Sequence, residues 1–73
     1  MEGGKIMSSV GSEFPIQMRR VRHLKEEYLS LPDGAGEIGA VILEGILQEG
    51  EEAQASGDLV RILRAFSALQ GCE

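Results

Sequence analysis

The sequence predicts an all-α protein, a small three-helix arrangement with a mobile N-terminal segment. Apolar residues recur at helical spacing in three stretches of this 73-residue chain. Short turn sequences rich in glycine, proline and aspartate separate the stretches. Three amphipathic helices joined by short turns each bury one apolar face against the other two. We therefore expect a flexible segment over residues 1–13 and a helical domain over residues 14–73.

The N-terminal segment, MEGGKIMSSVGSE, is rich in glycine and serine, a composition typical of a mobile terminus. Ile6, Met7 and Val10 interrupt this composition, because a fully solvated tail has no use for large apolar side chains. Three interpretations are open for them: docking on the helical domain, a short strand over residues 5–10, or contact with a partner.

The first predicted helix extends from about Pro15 to Leu31. Proline is favoured at the first helical position, where its missing N–H costs nothing. Pro32 ends the helix, and Asp33-Gly34 supplies the turn. The apolar face of this helix recurs at steps of three and four residues and consists of Phe14, Met18, Val21, Leu24, Tyr28 and Leu31.

The second predicted helix extends from Gly36 or Glu37 to about Ala55. Its glycines Gly39, Gly45 and Gly50 each cost about 1 kcal/mol relative to alanine. Either another helix approaches closely at these positions, or they mark local weakness or a kink. The predicted inner stripe consists of Ile38, Val41, Ile42, Ile46 and Ala53, and Leu43 and Leu47 widen it.

The third predicted helix begins after Ser56-Gly57, with Asp58 as its N-cap. Gly71 ends it. Its apolar stripe consists of Leu59, Ile62, Leu63, Phe66 and Leu69.

The chain has a net charge of −5, yet four of its seven lysines and arginines and its single histidine lie in residues 18–25, MRRVRHLK. Three interpretations are open for this cluster: a solvated helix face, a patch that meets an acidic protein surface, or a nucleic-acid contact. Arg22 and Glu26, like His23 and Glu27, are four residues apart, so acids on the same helix partly neutralise the cluster. Residues 34–73 hold two basic groups against seven acidic ones. The net negative charge of this C-terminal half of the chain is repelled by phosphate backbones, which argues against direct nucleic-acid binding.

No residue set suggests catalysis, a cofactor or a metal site. His23 has no second ligand at a suitable spacing, and Cys72 lies in no nucleophile motif. The acidic stretch over residues 44–52 lacks the alternating side-chain ligands of a calcium loop. The longest apolar run, residues 40–43, is far shorter than the ~20 residues of a membrane span. Since the N-terminus also lacks a secretion signal, we expect a soluble, cytoplasmic, non-enzymatic chain.

In length, acidity and helical organisation, and in the stretch FPIQMRRVRHLKEEY (residues 14–28), the chain resembles the small RNA-polymerase-binding transcription regulators of Xanthomonas lytic phages. The resemblance implies binding to the β′ N-terminal region of bacterial RNA polymerase, near the RNA exit path. It also implies inhibition of initiation at host promoters and read-through of terminators. It assigns no role to any residue.

The candidate partner-binding site therefore rests on the residues themselves. An apolar patch with a basic rim at the N-terminal edge of the first helix is typical of a small interface with a few anchors. The alternative for Val10 and Phe14 is that they cap the helical core. We name this predicted surface the N-terminal edge; it consists of Ile6, Met7, Val10, Phe14, Arg19 and Arg22.

A second hypothesis is a DNA-binding repressor of the ribbon-helix-helix type, with residues 5–10 as the strand through which two chains pair. The net negative charge, the third helix and the single lysine of that strand argue against it. We expect a monomer.

Overall fold

Three helices form the fold, as the sequence predicts. The computed structural model describes the backbone of residues 2–73 and the side chains of residues 10–73. The helices are α1 (Glu2–Leu29), α2 (Glu37–Ser56) and α3 (Leu59–Gln70), and a 3₁₀ turn (Pro32–Gly34) separates α1 from α2. The described residues contain no strand, so the all-α prediction is confirmed. None of the described helices combines the length and the apolar character needed to cross a bilayer.

Helix α1 begins well before the predicted start at Pro15 and is continuous across the expected boundary between residues 13 and 14. The strand alternative for residues 5–10 is not realised, because their backbone is helical. Pro15 lies inside the helix, where its ring removes one hydrogen bond to the carbonyl of Gly11. Both residues are exposed, so water can hydrate that carbonyl. The flexibility of residues 1–13 stays a prediction.

The predicted turn after α1 is present, although the helix ends two residues earlier than expected. Asp33 and Gly34 both have positive φ, 60° and 70°, as the Asp-Gly sequence favours. Because α1 ends at Leu29, Leu31 lies outside the helix and is exposed, so its assignment to the apolar face is wrong.

The core lies between the three helices and confirms most of the predicted face of α1. Leu24 and Tyr28 pack against it from the partly buried rim. The rings of Phe14 and Phe66 stack with centroids 6.1 Å apart. The buried core residues are Phe14, Met18, Val21, Leu43, Leu47, Ala53, Ala65, Leu69 and Cys72.

Helix α2 turns a different face inward from the predicted one. Its buried residues are Ala40, Leu43, Leu47, Gly50 and Ala53. The prediction holds for Ala53, for the half-buried Ile46 and for the two leucines that widen the stripe. It is wrong for Ile38, Val41 and Ile42, which point to solvent and are 79%, 72% and 59% exposed.

Close approach between α1 and α2 explains this rotation. A Cβ at Gly36 would overlap the backbone carbonyl of Tyr28, and one at Gly39 would overlap the Tyr28 ring. A Cβ at Gly50 would lie 2.8 Å from Sδ of Met18. Of the two explanations open for the glycines of α2, close helix approach is therefore correct for Gly39 and Gly50. Gly45 has no atom within 4 Å of its would-be Cβ, so packing does not account for it.

Helix α3 has the predicted N-cap, because the Asp58 carboxylate accepts hydrogen bonds from the backbone N–H groups of Val60 (3.0 Å) and Arg61 (3.3 Å). Leu69 is fully buried, and Ile62 and Phe66 pack at the edge of the core. Two further members of the predicted stripe are largely exposed, Leu59 and Leu63. The buried face of α3 is therefore narrower than its sequence suggests.

A matched pair of glycine substitutions tests the close approach. Gly36→Ala should lower the free energy of unfolding by about 1–3 kcal/mol, because the new methyl group meets backbone rather than a movable side chain. Gly45→Ala should raise it by about 0.4–1 kcal/mol, because the site is open and alanine restricts the unfolded chain. Urea unfolding followed by circular dichroism measures both. Equal effects of the two substitutions would contradict the proposed helix contact.

Candidate protein-binding surface

The basic cluster of residues 18–25 is largely occupied by contacts within the chain. The guanidinium of Arg20 reaches the end of α3, where Nη2 donates to the carbonyl of Leu69 (2.7 Å) and Nη1 to that of Cys72 (3.0 Å). The Leu69 carbonyl also accepts from the backbone N–H of Cys72, so the guanidinium adds a second, charged donor there. A cation at the C-terminal end of a helix also complements the helix dipole. Arg20 thus joins α1 to the C-terminal end of α3.

Two more cations of the cluster pair with glutamates of α2. Arg22 Nη2 lies 3.1 Å from Glu51, and Lys25 Nζ lies 2.7 Å from Glu44. The predicted pairs within α1, of Arg22 and His23 with the acids four residues later, are absent among the described side chains. Arg22 and Lys25 are therefore neutralised by the chain's own second helix, and a contact of the cluster with an acidic surface of another protein stays a prediction.

The hydrogen bond from Lys25, aided by its charge, holds the pKa of Glu44 below its ordinary value. The hydrogen bond from Arg61 lowers the pKa of Glu49 in the same way. Both carboxylates are at the surface, so these pairs contribute modestly to stability.

The structure does not assemble the predicted N-terminal edge into one exposed patch. Phe14 is 2% exposed and belongs to the core, as the alternative interpretation has it. Val10 is half-buried, Arg22 is paired, and Arg19 is exposed. The side chains of Ile6 and Met7 lie outside the described residues. Their role in partner binding stays a prediction, but Phe14 reaches no partner unless the core opens.

A second surface is apolar and open. Ile38, Val41 and Ile42 follow one another at steps of three and one, and Gly45 extends the same side of the helix by a further turn. Gly45 leaves the backbone bare, with no neighbouring atom near its would-be Cβ. We call these four residues the outer face of α2.

An open groove of about 260 Å³ adjoins the outer face where α1 ends and α2 begins. Val41 belongs to both, so the apolar surface is continuous. Leu29, which is largely exposed, contributes the α1 side of the groove. The lining residues are Lys25, Leu29, Glu37, Ala40, Val41 and Glu44.

The surroundings of the outer face are acidic. Helix α2 contains five glutamates and no lysine, arginine or histidine. Glu44 is paired with Lys25, and Arg61 lies 2.9 Å from both Glu49 and Glu52. Glu37, in the first turn of α2, has no ion pair among the described side chains. The groove therefore carries one carboxylate that a partner can neutralise.

Sequence reasoning missed the outer face because it ranked the positions of α2 by hydrophobicity. The three β-branched residues outrank alanine and glycine on that scale, and the core was assigned to them. A usable signal was present in the small residues Gly36, Ala40 and Gly50, which share one helical face with Leu43 and Leu47. Small residues on one face indicate close packing, and here they mark the side of α2 that faces α1.

The described residues offer no cluster of three His, Cys, Asp or Glu side chains placed to hold a metal ion. Cys72 is buried, and desolvation raises the pKa of its thiol, which disfavours the reactive thiolate.

Comparison of the chain with protein-family models, with curated proteins and with solved structures gave no match.

The contact of Arg20 with α3 generates a stability prediction. Arg20→Gln should lower the free energy of unfolding by about 1–2 kcal/mol, because it leaves the end of α3 without its charged donor. Arg19→Gln is the matched control, since Arg19 is exposed and makes no hydrogen bond or ion pair within the described region. Thermal melting followed by circular dichroism compares the two. Equal losses would show that Arg20 does not hold α3.

The pair of Lys25 and Glu44 predicts a small acid sensitivity. A carboxyl whose pKa is lower in the folded state stabilises the fold fully above its ordinary unfolded pKa, and this contribution is lost as the pH falls through the lowered, folded-state pKa. Between about pH 6 and pH 3, the melting temperature of the parent should therefore fall further than that of Glu44→Gln. Parallel pH series of thermal melts measure the difference, and identical losses would contradict a stabilising pair.

Proposed function

We propose that this chain is a non-enzymatic, protein-binding regulator that docks on bacterial RNA polymerase at the β′ N-terminal region. In this proposal it inhibits initiation at host promoters, allows read-through of terminators and acts in the cytoplasm of the bacterial host. The resemblance in length, acidity and helical organisation supports the choice of partner. The outer face of α2 supports docking as the mode of action.

The observation that carries the proposal is the exposure of Ile38, Val41 and Ile42 on one side of α2. Burial in the chain's own core does not explain these residues. Helix stability does not explain them either, because β-branched side chains lose rotamer freedom in a helix and rank below lysine and glutamate as helix formers. A contiguous apolar surface with a polar rim is the usual mark of a protein-binding site.

No observation favours the ribbon-helix-helix repressor. Residues 5–10, which that fold needs as a strand, belong to α1. Three of the four lysines and arginines in the basic cluster, Arg20, Arg22 and Lys25, are engaged within the chain. The exposed surface of α2 is acidic and repels DNA.

A pair of valine substitutions tests the proposal. Val41→Ser removes an apolar side chain from the outer face, while Val60→Ser makes the same change at an exposed site on α3. Binding of purified RNA polymerase, and of its isolated β′ N-terminal fragment, should weaken about tenfold or more for Val41→Ser and stay near the parent value for Val60→Ser. Both variants should keep the parent's melting transition, because the altered side chains are exposed. Transcription from a host promoter through a terminator, measured in vitro, should follow the binding results.

Two further variants examine the N-terminal edge. Val10→Ala and Arg22→Glu should weaken polymerase binding if that edge is the docking surface, and should leave it unchanged if the outer face of α2 docks alone. Because Arg22→Glu also breaks the pair with Glu51, its melting transition must be measured alongside. If purified polymerase does not bind the parent, the proposed function is wrong. Salt-sensitive, micromolar binding to duplex DNA would instead support the repressor.

A further inference from the structure

The outer face and the groove combine an apolar surface with unbalanced negative charge. Lys25 neutralises Glu44 at one wall of the groove, and Glu37 is left at the other without an ion pair among the described residues. Farther along α2, Glu49 and Glu52 share the single cation Arg61. The net charge around the apolar residues is therefore negative at both ends of the helix.

This charge discriminates between the occupants that an exposed apolar helix face can have. An anionic membrane or a nucleic acid is repelled by Glu37, which has no ion pair in the described region, and by Glu49 and Glu52, which share one cation. A second copy of the chain would bring the same α2 against itself, because a two-fold interface uses one patch twice. Like charges would then face each other across the apolar contact. A cationic partner, in contrast to these three occupants, is attracted by the negative charge around the apolar residues.

We infer that the outer face of α2 binds a cationic amphipathic segment of a partner protein. One apolar side chain of the segment enters the groove against Leu29, Ala40 and Val41, and others cover Ile38 and Ile42. A lysine or arginine of the segment pairs with Glu37. Gly45 lets the segment lie close to the helix, since no side chain projects there.

This inference rests on the proposed function, in which the outer face binds protein. It adds the chemical character of the polymerase segment that is bound. Electrostatic complementarity chiefly sets selectivity and association rate, whereas the buried apolar side chains supply most of the affinity. Two separable losses are therefore expected, one from charge reversal at Glu37 and one from removal of the Val41 side chain.

The test uses the full chain and two synthetic helical peptides of equal length. One is built of leucine and lysine on opposite faces, and the other carries glutamate in place of every lysine. Fluorescence anisotropy should show binding of the lysine peptide, weakened by added salt, and no binding of the glutamate peptide. Glu37→Lys and Val41→Ser should each weaken binding of the lysine peptide by about threefold to tenfold.

Matched controls separate the site from general charge attraction. Glu27→Lys changes the net charge as much as Glu37→Lys does, but at an exposed position on α1. Val60→Ser matches Val41→Ser in chemistry. Both controls should bind the lysine peptide nearly as the parent does. If Glu27→Lys weakens binding as much as Glu37→Lys, the peptide responds to net charge and the inference is wrong.

The outcomes distinguish this inference from the proposed function. If polymerase binding depends on Val41 but is unaffected by Glu37→Lys, and the lysine peptide does not bind, the docking function stands and the cationic partner is wrong. If the lysine peptide binds with the expected dependence but polymerase does not, the cationic site stands and the polymerase assignment is wrong. Binding to vesicles of anionic phospholipid that Val41→Ser abolishes, or self-association in sedimentation that it abolishes, would overturn the inference in favour of a membrane or a second copy.

Discussion

The structure depends on the close approach of α1 and α2 along a seam of glycines. Gly36 and Gly39 lie against Tyr28, and Gly50 lies against Met18, at separations that leave no room for a Cβ at the first two positions. Only one rotation of α2 about its axis places all three glycines toward α1. That rotation buries Leu43 and Leu47, which share the glycine side of the helix. The apolar residues on the opposite side, Ile38, Val41 and Ile42, are therefore left in solvent.

The same helix pairing accounts for the uneven charge of the sequence. An acidic helix packed beside the basic part of α1 forms ion pairs across the interface, as Lys25 does with Glu44 and Arg22 with Glu51. Arg20 donates to the carbonyls of Leu69 and Cys72 at the end of α3, and the Tyr28 hydroxyl donates to the carbonyl of Glu73 in the same region. These contacts join the chain's last residues to α1. What the outer face of α2 offers a partner is therefore apolar contact and negative charge.

A domain of this size has a small core, so large apolar side chains that lie outside that core require an explanation. Small domains bury a smaller fraction of their apolar surface than large ones, and side chains that could add to the core are valuable. Here alanines and glycines occupy much of the buried face of α2, while Ile38, Val41 and Ile42 are exposed. Such an arrangement costs stability in the free protein, and a partner that covers the outer face would recover the hydrophobic contribution. This distribution is the basis of the protein-binding function that we propose.

The sequence by itself determined the number of helices, the turns between them, the Asp58 cap and most of the buried face of α1. It did so because α1 keeps charged and apolar residues on opposite sides, so only one face can be buried. Helix α2 has apolar residues on both sides, and hydrophobicity alone selected the side with isoleucine and valine. Only the tertiary structure decided between the two, because the choice depends on how near another backbone comes to Gly36 and Gly39. That distance is a property of two packed helices, and the resulting rotation of α2 leaves Ile38, Val41 and Ile42 on its exposed side.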